Sequence, residues 1–141
     1  MKRCLKLTVV MLLLGCAACT RSQSQAAPPS EPAELQLQVS TPFHFAAYGD
    51  SRFHDPKDTE AANPVVRQTL VQAIAQTNPA FVSFGGDIVY NGSDMNDWKV
   101  WDSETAVWRE KKIPVYPALG NHEFYGDEKV ALANYFQRFP T

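Results

Sequence analysis

Residues 80–92 read AFVSFGGDIVYNG, and this stretch decides the fold class. The apolar run 80–84 has the length and composition of a buried strand, and a Gly-Gly pair ends it directly before Asp87. The Asn-Gly pair at 91–92 is typical of a turn. The stretch therefore predicts a strand that ends in a polar loop carrying an acidic side chain.

The same pattern occurs on both sides of this stretch. Upstream, the run 43–48 ends in Gly49-Asp50, and downstream the run 113–117 leads into Gly120-Asn121-His122-Glu123. Amphipathic segments separate the three runs, and such alternation is typical of βαβ units with a parallel sheet. We therefore predict an α/β fold of the βαβαβ type. The prolines of the third run favour an edge position for that strand.

Local signals also place the helices. The pair Asn63-Pro64 predicts a helix start and Asn78-Pro79 predicts its end. We expect the following buried apolar positions: Val66, Leu70, Ala73 and Ile74 in the first helix; Trp98, Trp101, Thr105 and Trp108 in the second segment; Leu132, Phe136 and Phe139 in the last helix. The tryptophans are expected in the core, not on a stacking surface for bases.

Three strands thus end in polar side chains, namely Asp50, Asp87 and Asn121 with His122. The carboxyl ends of parallel strands meet at one edge of a sheet, so these side chains are expected to converge there. Carboxylate and amide oxygens are hard ligands for divalent cations. The pattern favours a metal site over three unrelated loop-end residues.

Composition limits the classes of protein that fit. The chain has 141 residues with 13 Lys+Arg against 15 Asp+Glu, which suits one modest domain. Three of the basic residues lie in the first six positions, so the remainder is acidic, and this argues against nucleic-acid binding. All three cysteines also fall in the first twenty residues, so the downstream domain folds without a disulfide.

Residues 1–19 have the features of an export signal, with a basic start and a short apolar run. The stretch Leu13-Leu14-Gly15-Cys16 resembles a bacterial lipobox, which implies lipidation at Cys16. The alternatives are lipidation at Cys19 and simple cleavage near Ala17 or Ala18. Residues 20–41, rich in Pro, Ser and Gln, are expected to form a disordered linker. We therefore expect an exported protein of the cell envelope, lipid-anchored with the outer membrane favoured, or periplasmic.

Gly49-Asp50, Gly86-Asp87 and Gly120-Asn121-His122-Glu123, in this order, resemble the calcineurin-like metallophosphoesterase superfamily. The resemblance implies a four-layer α/β sandwich of which residues 42–141 form the N-terminal part. It also implies a phosphoester hydrolase with two metal ions (Fe, Mn or Zn) and attack by metal-bound hydroxide. Asp50 would bind the first metal, Asp87 would bridge both, and Asn121 would bind the second. His122 would act on the phosphate as a catalytic residue.

The sequence departs from the family at two positions. Most relatives carry a His ligand at the position of Arg52, and a guanidinium cannot bind a metal. Arg52 is either a catalytic clamp for the substrate phosphate or an exposed loop residue. Tyr90 lies where the purple acid phosphatase branch has a tyrosinate ligand to iron; the alternative is a packed aromatic ring. His54 is a third candidate for the vacant ligand position.

No histidine follows His122, although the family completes its metal site with later histidines. We therefore expect this chain to be the N-terminal half of a longer enzyme, with the fragment itself inactive. The expected substrates are small phosphoesters or phosphoproteins, with membrane contact only through the anchor and an oligomeric state that stays open. The rival hypothesis is a non-catalytic envelope lipoprotein that uses a degenerate phosphoesterase scaffold for binding.

Overall fold

The computed structural model describes Leu37 and residues 39–140. The predicted signal peptide, residues 1–19, and most of the predicted linker, residues 20–41, lie outside this part of the chain. The elements follow in the order β1 (Ala46–Tyr48), α1 (Pro64–Thr77), β2 (Val82–Phe84), α2 (Met95–Glu104), α3 (Ala106–Glu110), β3 (Val115–Pro117), a 3-10 turn (His122–Phe124) and α4 (Glu128–Arg138). Within the described residues, no helix combines the length and the apolar character that crossing a membrane requires.

The three strands form a parallel sheet in the order β1-β2-β3. Val82 of β2 pairs with Ala46 on one side and with Val115 on the other. The predicted α/β fold with parallel βαβ connections is therefore confirmed. The strands are shorter than predicted, with three residues each. The third strand lies at an edge of this sheet, as its prolines indicate.

Helix α1 begins and ends where the sequence predicts. The Asn63 side chain accepts a hydrogen bond from the main-chain N–H of Val66 at 3.1 Å, which caps the first turn before Pro64. At the other end, Asn78 adopts a left-handed conformation with φ of 50° and closes the helix. The local sequence is therefore sufficient to set the limits of this helix.

The predicted buried face of α1 is largely wrong, because only Ile74 of the four predicted residues packs against the core. The buried positions are Pro64, Arg67, Val71 and Ala75, whereas Val66 and Leu70 are 51% and 43% exposed. Arg67 turns inward because its guanidinium pairs with Glu104 of α2, at 2.9 and 2.6 Å. A hydrophobicity pattern assigns an arginine to solvent, so it selects the wrong face when the arginine has a buried partner.

The predicted face of α4 is also partly wrong, because its buried residues are Ala131, Asn134 and Tyr135. Phe136 remains 44% exposed. The amide of Asn134 donates to the carbonyl of Gly92 at 3.1 Å, which compensates for burying a polar side chain. As with α1, a specific polar contact decides the orientation of the helix.

The three tryptophans lie in the core as predicted. The indole N–H of Trp98 donates to the carbonyl of Gly92 at 2.7 Å, and that of Trp108 donates to the carbonyl of Val71 at 3.0 Å. Each buried indole therefore has a hydrogen-bond acceptor, as its burial requires. These bonds fix α2 to the loop after β2 and α3 to α1.

Candidate functional site

The loops that follow β1 and β2 run side by side. The main-chain N–H of Asp50 donates to the carbonyl of Gly86 at 3.0 Å, and that of Arg52 donates to the carbonyl of Asp87 at 2.9 Å. These bonds continue the parallel pairing beyond the strand ends. They bring positions 50 and 52 directly beside position 87.

The loop that follows β3 joins them at Asp87. A Cβ atom on Gly120 would lie 2.2 Å from Asp87 Oδ1, so only glycine allows this close approach. The main-chain N–H of His122 donates to the same oxygen at 3.1 Å. The predicted convergence of the three strand ends is therefore present in the main chain, and Asn121 lies between these two contacts.

Three residues of the site have unusual backbone angles. Asp50, Arg52 and Asp87 adopt positive φ values of 51°, 44° and 50°. A residue with a side chain occupies this left-handed region at a cost of about 1–3 kcal/mol, and such residues concentrate at functional sites. Tertiary contacts must hold these conformations, because local preference alone disfavours them, most of all for Arg52.

The carboxylate of Asp87 is buried and faces two basic side chains. Arg52 Nη2 lies 3.4 Å from Asp87 Oδ2, and His122 Nε2 lies 3.9 Å from the same oxygen. Arg52 Nε is buried and has no hydrogen-bond partner among the described residues. The side chain as a whole is 40% exposed, so the outer N–H groups of this guanidinium have the capacity to bind an additional anionic oxygen.

His122 is oriented by the main chain. Its Nδ1 lies 2.6 Å from the carbonyl oxygen of Tyr90. Because a carbonyl can only accept, Nδ1 carries the proton and donates it to this bond. Nε2, which faces Asp87, is therefore the ring nitrogen that this bond leaves available for proton transfer.

Tyr90 packs between two histidines, with ring centroids 4.9 Å from His54 and 5.4 Å from His122. His54 itself is directed elsewhere: its Nδ1 lies 2.5 Å from Asp97 and its Nε2 lies 3.3 Å from Asp58. Burial raises the pKa of the Asp97 carboxyl, and the hydrogen bond with His54 opposes part of that rise. With both ring nitrogens in contact with carboxylates, His54 is not placed to fill the vacant ligand position.

Glu123 is a structural centre of the site that no sequence pattern identified. Its fully buried carboxylate accepts main-chain N–H bonds from Asp87 at 2.9 Å and Ile88 at 2.7 Å. It accepts two more from Val89 at 3.4 Å and Gly120 at 2.6 Å. One side chain therefore ties the loop after β2 to the loop after β3. The signal was its place beside His122, but only the fold shows its partners.

The loop after β1 is held by a buried side chain as well, that of Arg67. Besides its pair with Glu104, its guanidinium donates to the carbonyls of Arg52 at 3.5 Å and His54 at 3.2 Å. It also lies over the ring of Phe53, 4.8 Å from the centroid. This buried cation thus holds the segment that carries Arg52.

The donor atoms fit a divalent cation in kind, because Asp50, Asp87 and Asn121 offer hard oxygens at one edge of the sheet. They are few in number: among residues 39–140, no three His, Cys, Asp or Glu side chains are grouped closely enough to hold a metal. Arg52 also places a protein cation against one oxygen of Asp87. Water or further ligands would be needed to complete the coordination of any ion bound here.

Comparison with known proteins gives one family. No curated protein and no solved structure matches the chain significantly. The family profile for calcineurin-like phosphoesterase matches residues 44–141, which is well over half of the chain and includes all the residues of the site. The chain therefore belongs to the calcineurin-like phosphoesterase family, whose members hydrolyse phosphoesters and generally bind divalent metals.

Proposed function

We propose that this protein hydrolyses phosphoesters at a dinuclear metal site held by Asp50, Asp87 and Asn121, with His122 and Arg52 acting on the substrate. The observation that carries the proposal is the meeting of three strand-end loops at the Asp87 carboxylate. When bound, the cations would supply Lewis-acid activation of water and of the phosphoryl oxygens.

The protein's own groups have separate tasks in this proposal. His122 would use Nε2 to donate a proton to the departing oxygen, because Nδ1 is held by the carbonyl of Tyr90. Arg52 would bind a phosphoryl oxygen with the exposed part of its guanidinium, since its side chain is 40% exposed. Both tasks suit a small phosphoester or a phosphoprotein, and the acidic body does not favour a nucleic acid.

The test is turnover of nitrophenyl phosphate, with and without metal, by the full-length protein, which serves as the parent of all variants. We expect EDTA to abolish activity and added Mn²⁺ to restore it. Asp87→Asn and His122→Ala should abolish turnover while the thermal unfolding transition is retained. His44→Ala is the matched control, because His44 is an exposed histidine outside the site that donates to the carbonyl of Thr77. Full activity in either site variant would contradict the proposal.

One observation favours the rival function of a non-catalytic binding module. Arg52 places its guanidinium 3.4 Å from Asp87 Oδ2, where a bridging carboxylate would need that oxygen for a metal. If the full-length protein binds inorganic phosphate with or without Mn²⁺ and never turns over nitrophenyl phosphate, the binding function replaces the enzymatic one.

Membership of the purple acid phosphatase branch is a further proposal and depends on Tyr90. Its ring is 39% exposed and packs beside His122, so it borders the site. If Tyr90 binds ferric iron, the iron-loaded protein should show a visible charge-transfer band that Tyr90→Phe removes. A colourless iron-loaded protein would exclude this branch.

We also propose that the protein is exported and lipid-anchored in the cell envelope. The support is the sequence of residues 1–19 with its lipobox-like stretch before Cys16. Incorporation of a labelled fatty acid should be lost in Cys16→Ser and retained in Cys19→Ser. If the label is lost in Cys19→Ser alone, the lipidated residue is Cys19. If the parent protein incorporates no label, the signal is simply cleaved.

A further inference from the structure

We infer that Tyr125 is a positioning residue of this site, which orients both the amide of Asn121 and the ring of His122. The inference rests on the proposed function, because it concerns how the chain presents its ligand and its proton donor. Tyr125 lies directly after the 3-10 turn that carries His122.

The first contact orients the amide. Asn121 Nδ2 donates to the hydroxyl oxygen of Tyr125 at 3.1 Å. This bond engages the N–H end of the amide and leaves Oδ1 free to accept. A cation binds the oxygen and is repelled by the amide hydrogens, so this orientation is the one that a metal site requires.

The second contact orients the imidazole. The Tyr125 ring packs on His122 with centroids 4.3 Å apart and an interplanar angle of 38°. Tyr90 contacts the same imidazole at 5.4 Å with an angle of 46°. His122 therefore contacts two aromatic rings, in addition to the bond from its Nδ1 to Tyr90.

The main chain of Tyr125 is held by two hydrogen bonds. Its N–H donates to the carbonyl of His122 at 3.1 Å, and its carbonyl accepts from the N–H of Ser93 at 3.1 Å. The next residue, Gly126, has φ of 83°, and a Cβ there would overlap the Ser93 side chain. The chain can make this turn only with glycine, and the turn holds Tyr125 against the loop after β2.

The decisive variant is Tyr125→Phe, which retains the ring and removes the hydroxyl. Isothermal titration with Mn²⁺ should show an affinity about 10-fold weaker, as is typical when a partner of a metal ligand is removed. The thermal unfolding temperature without metal should stay close to that of the parent. Tyr116→Phe is the matched control, because it removes a hydroxyl from a ring that packs on Phe81, outside the site.

Combining Tyr125→Phe with Asn121→Asp distinguishes an effect on the orientation of the amide from a general structural effect. Asn121→Asp presents an oxygen in either orientation, so the effect of Tyr125→Phe on Mn²⁺ affinity should disappear in Asn121→Asp. Tyr125→Leu, which also removes the ring from His122, should lower kcat for nitrophenyl phosphate further than Tyr125→Phe does. An equal loss of affinity in both backgrounds would overturn the orienting role of the hydroxyl.

The outcomes also separate this inference from the proposed function. If the parent binds Mn²⁺ and hydrolyses nitrophenyl phosphate, and Tyr125→Phe binds Mn²⁺ equally well, the inference alone is wrong. If the parent neither binds Mn²⁺ nor hydrolyses the substrate, the proposed function is wrong and the inference falls with it.

Discussion

The carboxylate of Glu123 accepts the main-chain N–H of Asp87 at 2.9 Å, so the loop after β3 provides the acceptor for the loop after β2. The same carboxylate accepts the N–H of Gly120 at 2.6 Å within its own loop. One buried negative charge thus sets the distance between the two loops. A buried carboxylate is tolerated here because main-chain donors surround it.

Glu123→Gln should therefore destabilise the fold. The amide has one oxygen acceptor instead of two and turns an NH₂ donor toward N–H donors, so some main-chain groups lose their partner. We expect a loss of about 3 kcal/mol in the free energy of unfolding. Urea denaturation measures it, with Glu110→Gln at the exposed end of α3 as the control, for which we expect a change below about 0.5 kcal/mol. Equal midpoints for the two variants would contradict the role of Glu123.

Gly120→Ala tests the close approach to Asp87. Its Cβ would lie 2.2 Å from Asp87 Oδ1 and 2.5 Å from the Asp87 main-chain N, so one of the two loops must move. We expect a loss of about 2 kcal/mol or more in stability, together with weaker Mn²⁺ binding. Gly85→Ala is the matched control, because the nearest atom to its Cβ would be 3.8 Å away. If the two variants behave alike in urea denaturation and Mn²⁺ titration, the site does not require glycine at position 120.

Arg52→Ala tests the phosphate clamp. Removing a guanidinium that binds a phosphoryl oxygen should raise KM for nitrophenyl phosphate about tenfold, since a hydrogen bond to a charged group contributes about 1.5–3 kcal/mol. Steady-state kinetics of the parent and the variant provide the measurement. Lys57→Ala, which removes a cation from the same loop, should leave KM within about twofold. An unchanged KM in Arg52→Ala would leave Arg52 as an ordinary loop residue.

Arg67→Met should be costlier than Arg138→Met, although both remove an ion-paired arginine. Arg67 and Glu104 are both nearly inaccessible, and breaking such a pair costs about 3–5 kcal/mol because the remaining charge stays buried. Arg138 pairs with Asp102, whose side chain is 42% exposed, and water can solvate the carboxylate that remains. The midpoints of urea denaturation compare the two variants. A larger loss of stability for Arg138→Met would contradict the greater importance of the buried pair.

We predict that ionisation of Tyr135 lowers the stability of the protein at alkaline pH. Burial, with a smaller contribution from the charge of Glu123, raises the pKa of Tyr135 from 10.0 to about 12. The unfolded chain therefore releases this proton at a lower pH than the folded protein does. The stability that arises from this difference in pKa is complete below pH 10.0 and is lost as the pH rises toward about 12.

Tyr135→Phe is the variant that checks this dependence. It also removes the hydrogen bond that the hydroxyl donates to the carbonyl of Pro117 at 3.0 Å, so it should cost about 1 kcal/mol at neutral pH. Between pH 10 and 12 its stability should fall less steeply than that of the parent. Chemical denaturation at several pH values gives both the cost at neutral pH and the dependence of stability on pH. Parallel curves of stability against pH for parent and variant would show that Tyr135 does not contribute to this dependence.

The sequence by itself determined the features that depend on a few neighbouring residues. Asn63 and Asn78 set the ends of α1 because capping and left-handed closure are local requirements. The order of apolar runs and glycines determined the parallel strands, and topology alone then brought Asp50 and Asp87 to one edge of the sheet.

Only the tertiary structure decided which partners the buried polar groups have. Arg67 meets Glu104 from 37 positions away, and Glu123 meets the main-chain N–H of Asp87 from 36 positions away. Such pairs reverse the usual preference of charged side chains for solvent, so no periodic pattern identifies the face of α1 that is buried. The contact between Arg52 and Asp87 has the same origin, because it depends on two left-handed backbone conformations that tertiary contacts maintain.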